Sequence, residues 1–182
     1  MSERRTWDAS ALIAALIGLL ALCVSAYTAN VQRQQAKAQV WTRLFFANSD
    51  TDRTLMVMNK GVGPARIESI RMYVDGKPQP DWKHVFAALG LPANDKREQS
   101  TVNGIVVAAN ERVNFISFKD PADWAAFRAV SSRADLRACY CSVLDECVVF
   151  DEREVGPVPG ARSARVKSVD HCERVDAEEF NE

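Results

Sequence analysis

The chain has 182 residues and a mass of 20.2 kDa, which is room for one ordinary domain plus an appendage and too little for a multidomain enzyme. Lys+Arg 23 against Asp+Glu 24 gives a formal charge of -1, so no overall cationic field exists to hold nucleic acid. Hydrophobic residues at 47% and charged residues at 26% exclude wholesale disorder.

Residues 1–8 read as a short tail carrying Arg4 and Arg5. From Ala9 to Ala29 no residue is charged, and as a helix this stretch spans about 30 Å, the thickness of a bilayer's hydrocarbon core. A transmembrane helix over residues 9–29 is predicted. Val24-Ser25-Ala26 resembles a signal-peptidase site and Leu20-Ala21-Leu22-Cys23 a lipobox. However, the run exceeds the h-region of about 7–15 residues, and Leu22 stands where a lipobox has Gly, Ala or Ser. The span therefore reads as an uncleaved signal anchor, with Cys23 a small lipid-compatible residue. Arg33, Lys37 and Arg43 balance Arg4 and Arg5, so the basic residues do not orient the span. A short tail followed by a long domain predicts the N-terminus in the cytoplasm and the C-terminal domain outside it.

Residues 30–41 are rich in Gln, Ala, Lys and Arg and predict a helical stalk, with Val31, Ala38 and Trp41 as a thin seam for homo-oligomer contact. From there the pattern changes to short apolar runs between turn residues, the mark of antiparallel sheet. Strands are expected at 42–48, 54–59, 65–74, 104–109, 112–118, 135–142 and 146–151, as in an Ig-like β-sandwich over residues 42–154. Asp75-Gly76 closes the third strand, and Asn110-Glu111 joins the fourth and fifth as a tight hairpin.

Two helical insertions interrupt the strands. In the first, Trp82, Val85, Phe86 and Leu89 share one face behind Asp81, with Gly90 and Pro92 at its end. The second begins with Asp120 as N-cap and Pro121 at the first helical position, with Trp124 and Phe127 on one side. Both aromatic faces fit as plugs for the ends of the domain. Residues 155–182, with Gly156, Pro157, Pro159, Gly160 and an acidic end, read as a flexible tail that Cys172 tethers.

Few side chains offer chemistry. Gly61-Val62-Gly63-Pro64 is a poor phosphate loop, because a strand-like alternation follows it and Pro64 lacks an amide. It reads as a turn in which Gly61 and Gly63 supply positive φ and Pro64 stiffness. His84 is a surface residue, and His171 lies beside Cys172. The adjacent pairs Asp145-Glu146 and Asp151-Glu152 point apart on a strand and fit loop solvation or weak calcium contact. No catalytic constellation is assembled, and neither an enzyme nor a cofactor is expected.

The turn Asn59 to Ala65, read as Asn-x-Gly-x-Gly-Pro-Ala after a single N-terminal span, resembles a group of bitopic bacterial envelope proteins. Cys139-Tyr140-Cys141-Ser142-Val143-Leu144-Asp145-Glu146-Cys147 is similar to a Cys-Tyr-Cys-Ser-x-x-Asp-Glu-Cys stretch in some of them. The resemblance runs to about Phe150 and implies a bacterial inner-membrane anchor with a periplasmic domain, but no catalytic residue.

Cys139, Cys141, Cys147 and Cys172 form an even set. Cys139 and Cys141 face the same way on a strand, and Cys147 lies on the return strand. If residues 142–146 form the loop, Cys141 meets Cys147 and Cys139 is left for Cys172. The competing use of the same four sulfurs is a zinc site, although the Cys-x-Cys-x5-Cys spacing lacks the usual paired knuckles. The expected function is a membrane-anchored interaction or accessory subunit of an envelope membrane complex, with a membrane protein as partner. The alternative is a thiol-based metal-binding or redox protein built on Cys139, Cys141, Cys147 and Cys172.

Overall fold

The computed structural model describes residues 9–93, 96–153 and 165–181. The expected tail at 1–8 and the start of the expected flexible segment at 155 lie outside the described residues. The chain divides into two compact units, residues 1–39 and 40–182.

The described residues of the first unit form one helix, α1, Ala9–Gln39. Its 31 residues extend about 46 Å. None of its side chains is buried, and its apolar stretch is long enough to cross a membrane. The expected span and stalk are therefore continuous. No Gly or Pro interrupts the run from Ser10 except Gly18, and that Gly has open space around it.

Among its described residues the second unit contains ten strands: β1 Leu44–Ser49, β2 Thr54–Asn59, β3 Ala65–Val74, β4 Lys77–Gln79, β5 Arg97–Gln99, β6 Val106–Val107, β7 Arg112–Phe118, β8 Ala134–Cys141, β9 Cys147–Asp151 and β10 Arg165–Val169. They form two antiparallel sheets. One has the order β1-β2-β7-β5; the other runs β10-β9-β8-β3-β4, with β6 paired to the start of β3. The helices are α2, Trp82–Leu89, and α3, Pro121–Val130.

Alternation explains the inner faces. Leu136, Ala138 and Tyr140 of β8 and Ile70, Met72 and Val74 of β3 are buried in one core with Val57 and Phe115 of the other sheet. Phe46 of β1 meets Phe150 of β9 across the gap, ring centroids 5.0 Å apart. The two helices contribute as expected. Asp81 accepts from the His84 amide at 2.8 Å, and Gly90 closes α2 in the left-handed region at φ 76. Trp82, Val85, Phe86 and Leu89 are buried. Asp120 caps α3 through the Ala122 amide at 2.9 Å, burying Trp124 and Phe127.

Four expectations need correction. The strand expected at 104–109 shrinks to β6, and Asn110-Glu111 is no hairpin, because β6 pairs with β3 in one sheet while β7 pairs with β2 in the other. Three short strands, β4, β5 and β10, were not expected: with three to five residues each, they lack room to display a period.

The third correction concerns the C-terminal segment, expected to be flexible. Instead β10 pairs with β9 from Arg165↔Asp151 to Val169↔Cys147. Phe180 is completely buried, its amide bonded to the Ile70 carbonyl at 2.9 Å and its ring against Trp82 and Phe115. An acidic composition concealed one aromatic anchor.

The fourth concerns the Gly61–Pro64 turn, where neither glycine has positive φ. Glycine is required there by crowding. A Cβ on Gly61 would lie 2.4 Å from the Trp41 carbonyl oxygen, and one on Gly63 would lie 2.5 Å from that of Val40. Buried Asn59 ties the turn together. Its Oδ1 accepts from the Gly61 amide at 2.9 Å, and its Nδ2 donates to the carbonyls of Gly63 and Val107 at 2.8 and 3.0 Å.

Candidate functional site

The side of the β10-β9-β8-β3 sheet turned away from the core carries the chemistry. On β8 the residues that alternate with Leu136, Ala138 and Tyr140 are Arg137, Cys139 and Cys141. On β3 a register shift between Ile67 and Ser69 inserts an extra residue, so Ser69, Arg71 and Tyr73 turn to this outer face while Ile67 still points inward. Val149 and Asp151 of β9 pair with Cys139 and Arg137, and Lys167 of β10 pairs with Val149.

The four sulfurs form two disulfides, Cys141 to Cys147 and Cys139 to Cys172, the pairs drawn from the spacing. Cys141 and Cys147 are direct partners across the β8–β9 ladder, Cα atoms 4.0 Å apart. Residues 142–146 form the loop, closed by the Ser142 amide on the Glu146 carbonyl at 2.9 Å. The two bonds touch, since the Cys141 and Cys172 sulfurs are 3.6 Å apart. Joined in this way, none of the four is a thiolate, the form a zinc ligand requires.

Beside the sulfurs lies a charged groove. One recess of about 370 Å³ is lined by Arg71, Tyr73, Arg137, Asp151, Arg153 and Lys167, with Glu173 and Glu178 from the C-terminal segment. A second of about 390 Å³ shares Arg137, Lys167 and Glu173 and reaches Cys139 and His171. Asp151 is its buried anion, bonded through Oδ2 to Arg153 at 2.8 Å, with the Arg137 Nε 3.4 Å away. Burial works to raise its pKa, but the Arg153 guanidinium and backbone amide, with Arg137 behind, hold it below the ordinary carboxylate range. Arg153 also covers the Tyr73 ring, 3.8 Å from its centroid.

The C-terminal segment closes one side of this groove. Arg71, 5% exposed, meets Glu179 Oε1 at 3.4 Å and Glu178 Oε2 at 3.4 Å, and donates to the Glu173 carbonyl at 2.7 Å. Ser69 donates to Glu179 at 2.7 Å, and Tyr73 donates to Glu178 at 3.0 Å. Burial, then the bond to Glu178, pushes the Tyr73 phenol upward in pKa.

The remaining candidates are dispersed. His84 is exposed, Nδ1 2.8 Å from its own cap Asp81, and His171 is exposed at the groove's edge. Asp145 pairs with Arg66 at 3.0 Å. Asp151 and Glu152 are not solvated loop acids as expected: one anchors the groove and the other accepts from the Leu136 amide at 2.8 Å. Gly61, Gly63 and Pro64 shape the entry turn against residues 40–43. A separate cavity of about 410 Å³ opens between the sheets, with Phe46, Leu55, Met72 and Phe127 as its apolar walls.

Sequence reasoning missed the groove. Its one visible signal was the alternation of Arg137, Cys139 and Cys141 in β8, which marks a polar outer face; the parity change in β3 has no sequence mark. Comparison with protein-family models, with curated proteins and with solved structures returns no match.

Proposed function

We propose that the chain is a single-pass envelope protein whose extracytoplasmic domain binds a membrane-protein partner as an accessory subunit. The observation that carries this is a cluster of exposed apolar side chains at the end of the domain where the chain enters. Trp41, Val62, Val106, Val143 and Leu144 are all 48% exposed or more. They belong together through the strand ends: the Val62 amide bonds to the Trp41 carbonyl at 2.9 Å, Val106 pairs with Arg66, and Arg66 pairs with Cys141 beside the 142–146 loop. Apolar residues gathered at one end of a soluble domain mark a contact surface.

The topology supports an immunoglobulin-like sandwich as the scaffold. In chain order β1, β2, β3, β5, β7, β8 and β9 take the places of strands A to G. The orders β1-β2-β7-β5 and β9-β8-β3 then correspond to A-B-E-D and G-F-C. The domain departs from antibody modules in its disulfides, which lie on the outer face of F and G. Two disulfides favour an oxidising compartment, hence a periplasmic domain and a cytoplasmic N-terminus in a bacterial inner membrane.

Photo-crosslinking residues at Trp41 and Val62 in the full-length chain, with Lys83 on α2 as control, test the surface. Adducts with one membrane protein from positions 41 and 62 support it; adducts from 83 alone, or with lipid alone, refute it. A C-terminal fusion active only as a cytoplasmic reporter refutes the orientation.

A further inference from the structure

We propose that the sulfur cluster is a thiol–disulfide exchange site that takes a dithiol reductant through Cys139 and passes the reducing equivalents by way of Cys172 to the buried Cys141–Cys147 bond. The inference does not rest on the partner-binding surface, although Val143 and Leu144 of that surface lie in the loop that the Cys141–Cys147 bond closes.

Three observations carry it. Cys139 lines the 390 Å³ recess, whose charged walls set Arg137 and Lys167 against Asp170 and Glu173. Cys172 is half-buried and is the sulfur bonded to Cys139. The Cys172 sulfur is 3.6 Å from that of Cys141, and the sulfurs of Cys141, Cys147 and Cys172 all lie within 4.8 Å of one another. Cys139 is only 3% exposed and is reached through the recess, whereas Cys141 and Cys147, 3% and 6% exposed, line neither recess.

The chemistry follows in balanced steps. One thiolate of the dithiol attacks the Cys139 sulfur; the Cys139–Cys172 bond breaks, and Cys172 leaves as a thiolate. The dithiol's second thiol attacks its own mixed-disulfide sulfur, releasing Cys139 as a thiol and leaving the reagent as a cyclic disulfide. The Cys172 thiolate, in contact with Cys141, attacks it: a Cys141–Cys172 bond forms and Cys147 leaves as a thiolate. This last step transfers no net electrons, and the two electrons of the first came from the dithiol. In-line attack needs the Cys172 side chain to rotate, which its release from Cys139 allows. The product moves the tether of the C-terminal segment two positions along β8, about 7 Å.

The test is partial reduction of the folded full-length protein with sub-stoichiometric dithiothreitol. Free thiols are blocked with N-ethylmaleimide; the remaining bonds are then reduced, labelled with iodoacetamide and located by tandem mass spectrometry. Cys139, Cys141 and Cys147 all fall within the tryptic segment 138–153, so their labels are read on one peptide. The proposal expects maleimide on Cys139 and Cys147 with Cys141 unblocked, in the majority of singly reduced molecules. Neither native bond, opened alone, gives that combination. Maleimide confined to Cys139 with Cys172, or to Cys141 with Cys147, overturns the relay. Maleimide on Cys139 with Cys141 overturns the choice of Cys141 as the attacked sulfur. In a Cys139→Ser/Cys172→Ser variant of unchanged near-UV circular dichroism, Cys141–Cys147 should be reduced at least tenfold more slowly than in the wild type; an equal rate also overturns it.

Discussion

Replacing Phe180 with alanine tests whether the C-terminal segment is part of the fold. The side chain is 0% exposed and its ring packs edge to face on Trp82 and Phe115, centroids 5.2 and 5.8 Å away. Truncating a buried Phe costs about 3–5 kcal/mol through lost transfer energy and the cavity left behind. Two edge-to-face contacts at roughly 0.5–1.5 kcal/mol each place this site in the upper part of that range. Trp82 and Phe115 belong to an α-helix and a central strand, so the surroundings have little freedom to collapse. For a domain of this size roughly 4 °C per kcal/mol converts a loss of about 4–5 kcal/mol to a fall in Tm of about 16–20 °C. The assay is thermal and urea unfolding of the full-length protein in detergent, followed by near-UV circular dichroism, which reports Trp packing. Phe180→Leu, which keeps most of the volume, should lose less than half as much. A change under about 1 kcal/mol for Phe180→Ala, equal to that of a neighbouring exposed position such as Asp176→Ala, would refute the placement of this segment in the core.

Gly63→Ala should destabilise by more than about 2 kcal/mol, because its Cβ has only backbone to displace; a Tm within 2 °C of wild type by differential scanning calorimetry would contradict the crowding. Cys139→Ser/Cys172→Ser opens a loop of sequence separation 33 and should cost about 3–4 kcal/mol, against about 2 kcal/mol for Cys141→Ser/Cys147→Ser with separation 6. Urea midpoints in the reverse order would count against a chain-entropy origin. Asp151 has its pKa lowered in the folded state, so its contribution is present above the unfolded value of about 3.9 and lost as pH falls through the folded one. The stability gap between wild type and Asp151→Asn should accordingly be constant from pH 5 to 8 and close below about pH 4. A gap that persists in acid would point to packing instead of the Arg153 pair. Arg71→Met should destabilise strongly alone, by leaving Glu179 buried without its cation, and much less when combined with Glu179→Leu; a double-mutant cycle with no coupling would refute the pair.

Much of the scaffold is local chemistry and was legible without coordinates. The apolar run of α1 has no polar face to hide, the caps Asp81 and Asp120 announce their helices, and alternation marks β2, β3, β7, β8 and β9. The period of two placed Cys139 and Cys141 on one face, and the pairing expected from it rested on residues 142–146 forming the loop, which they do. The groove was not legible because its members come from β3, β8, β9, β10 and the C-terminus, and no local pattern links Arg71 to Glu179 or Arg137 to Asp151.

The sequence by itself determined an apolar helix, a strand-rich domain with two capped helical insertions, and the meeting of Cys141 with Cys147 if residues 142–146 form a loop, because each depends on residues near one another in the chain; that Cys172 joins Cys139 across a separation of 33 was settled by the fold. Only the tertiary structure decided that Gly61 and Gly63 answer to backbone contact with residues 40–43, that Asn110-Glu111 crosses between sheets, and that Phe180 completes the core. These depend on which distant surfaces meet, and a single buried ring or a one-residue shift in β3 changes that without altering composition or period.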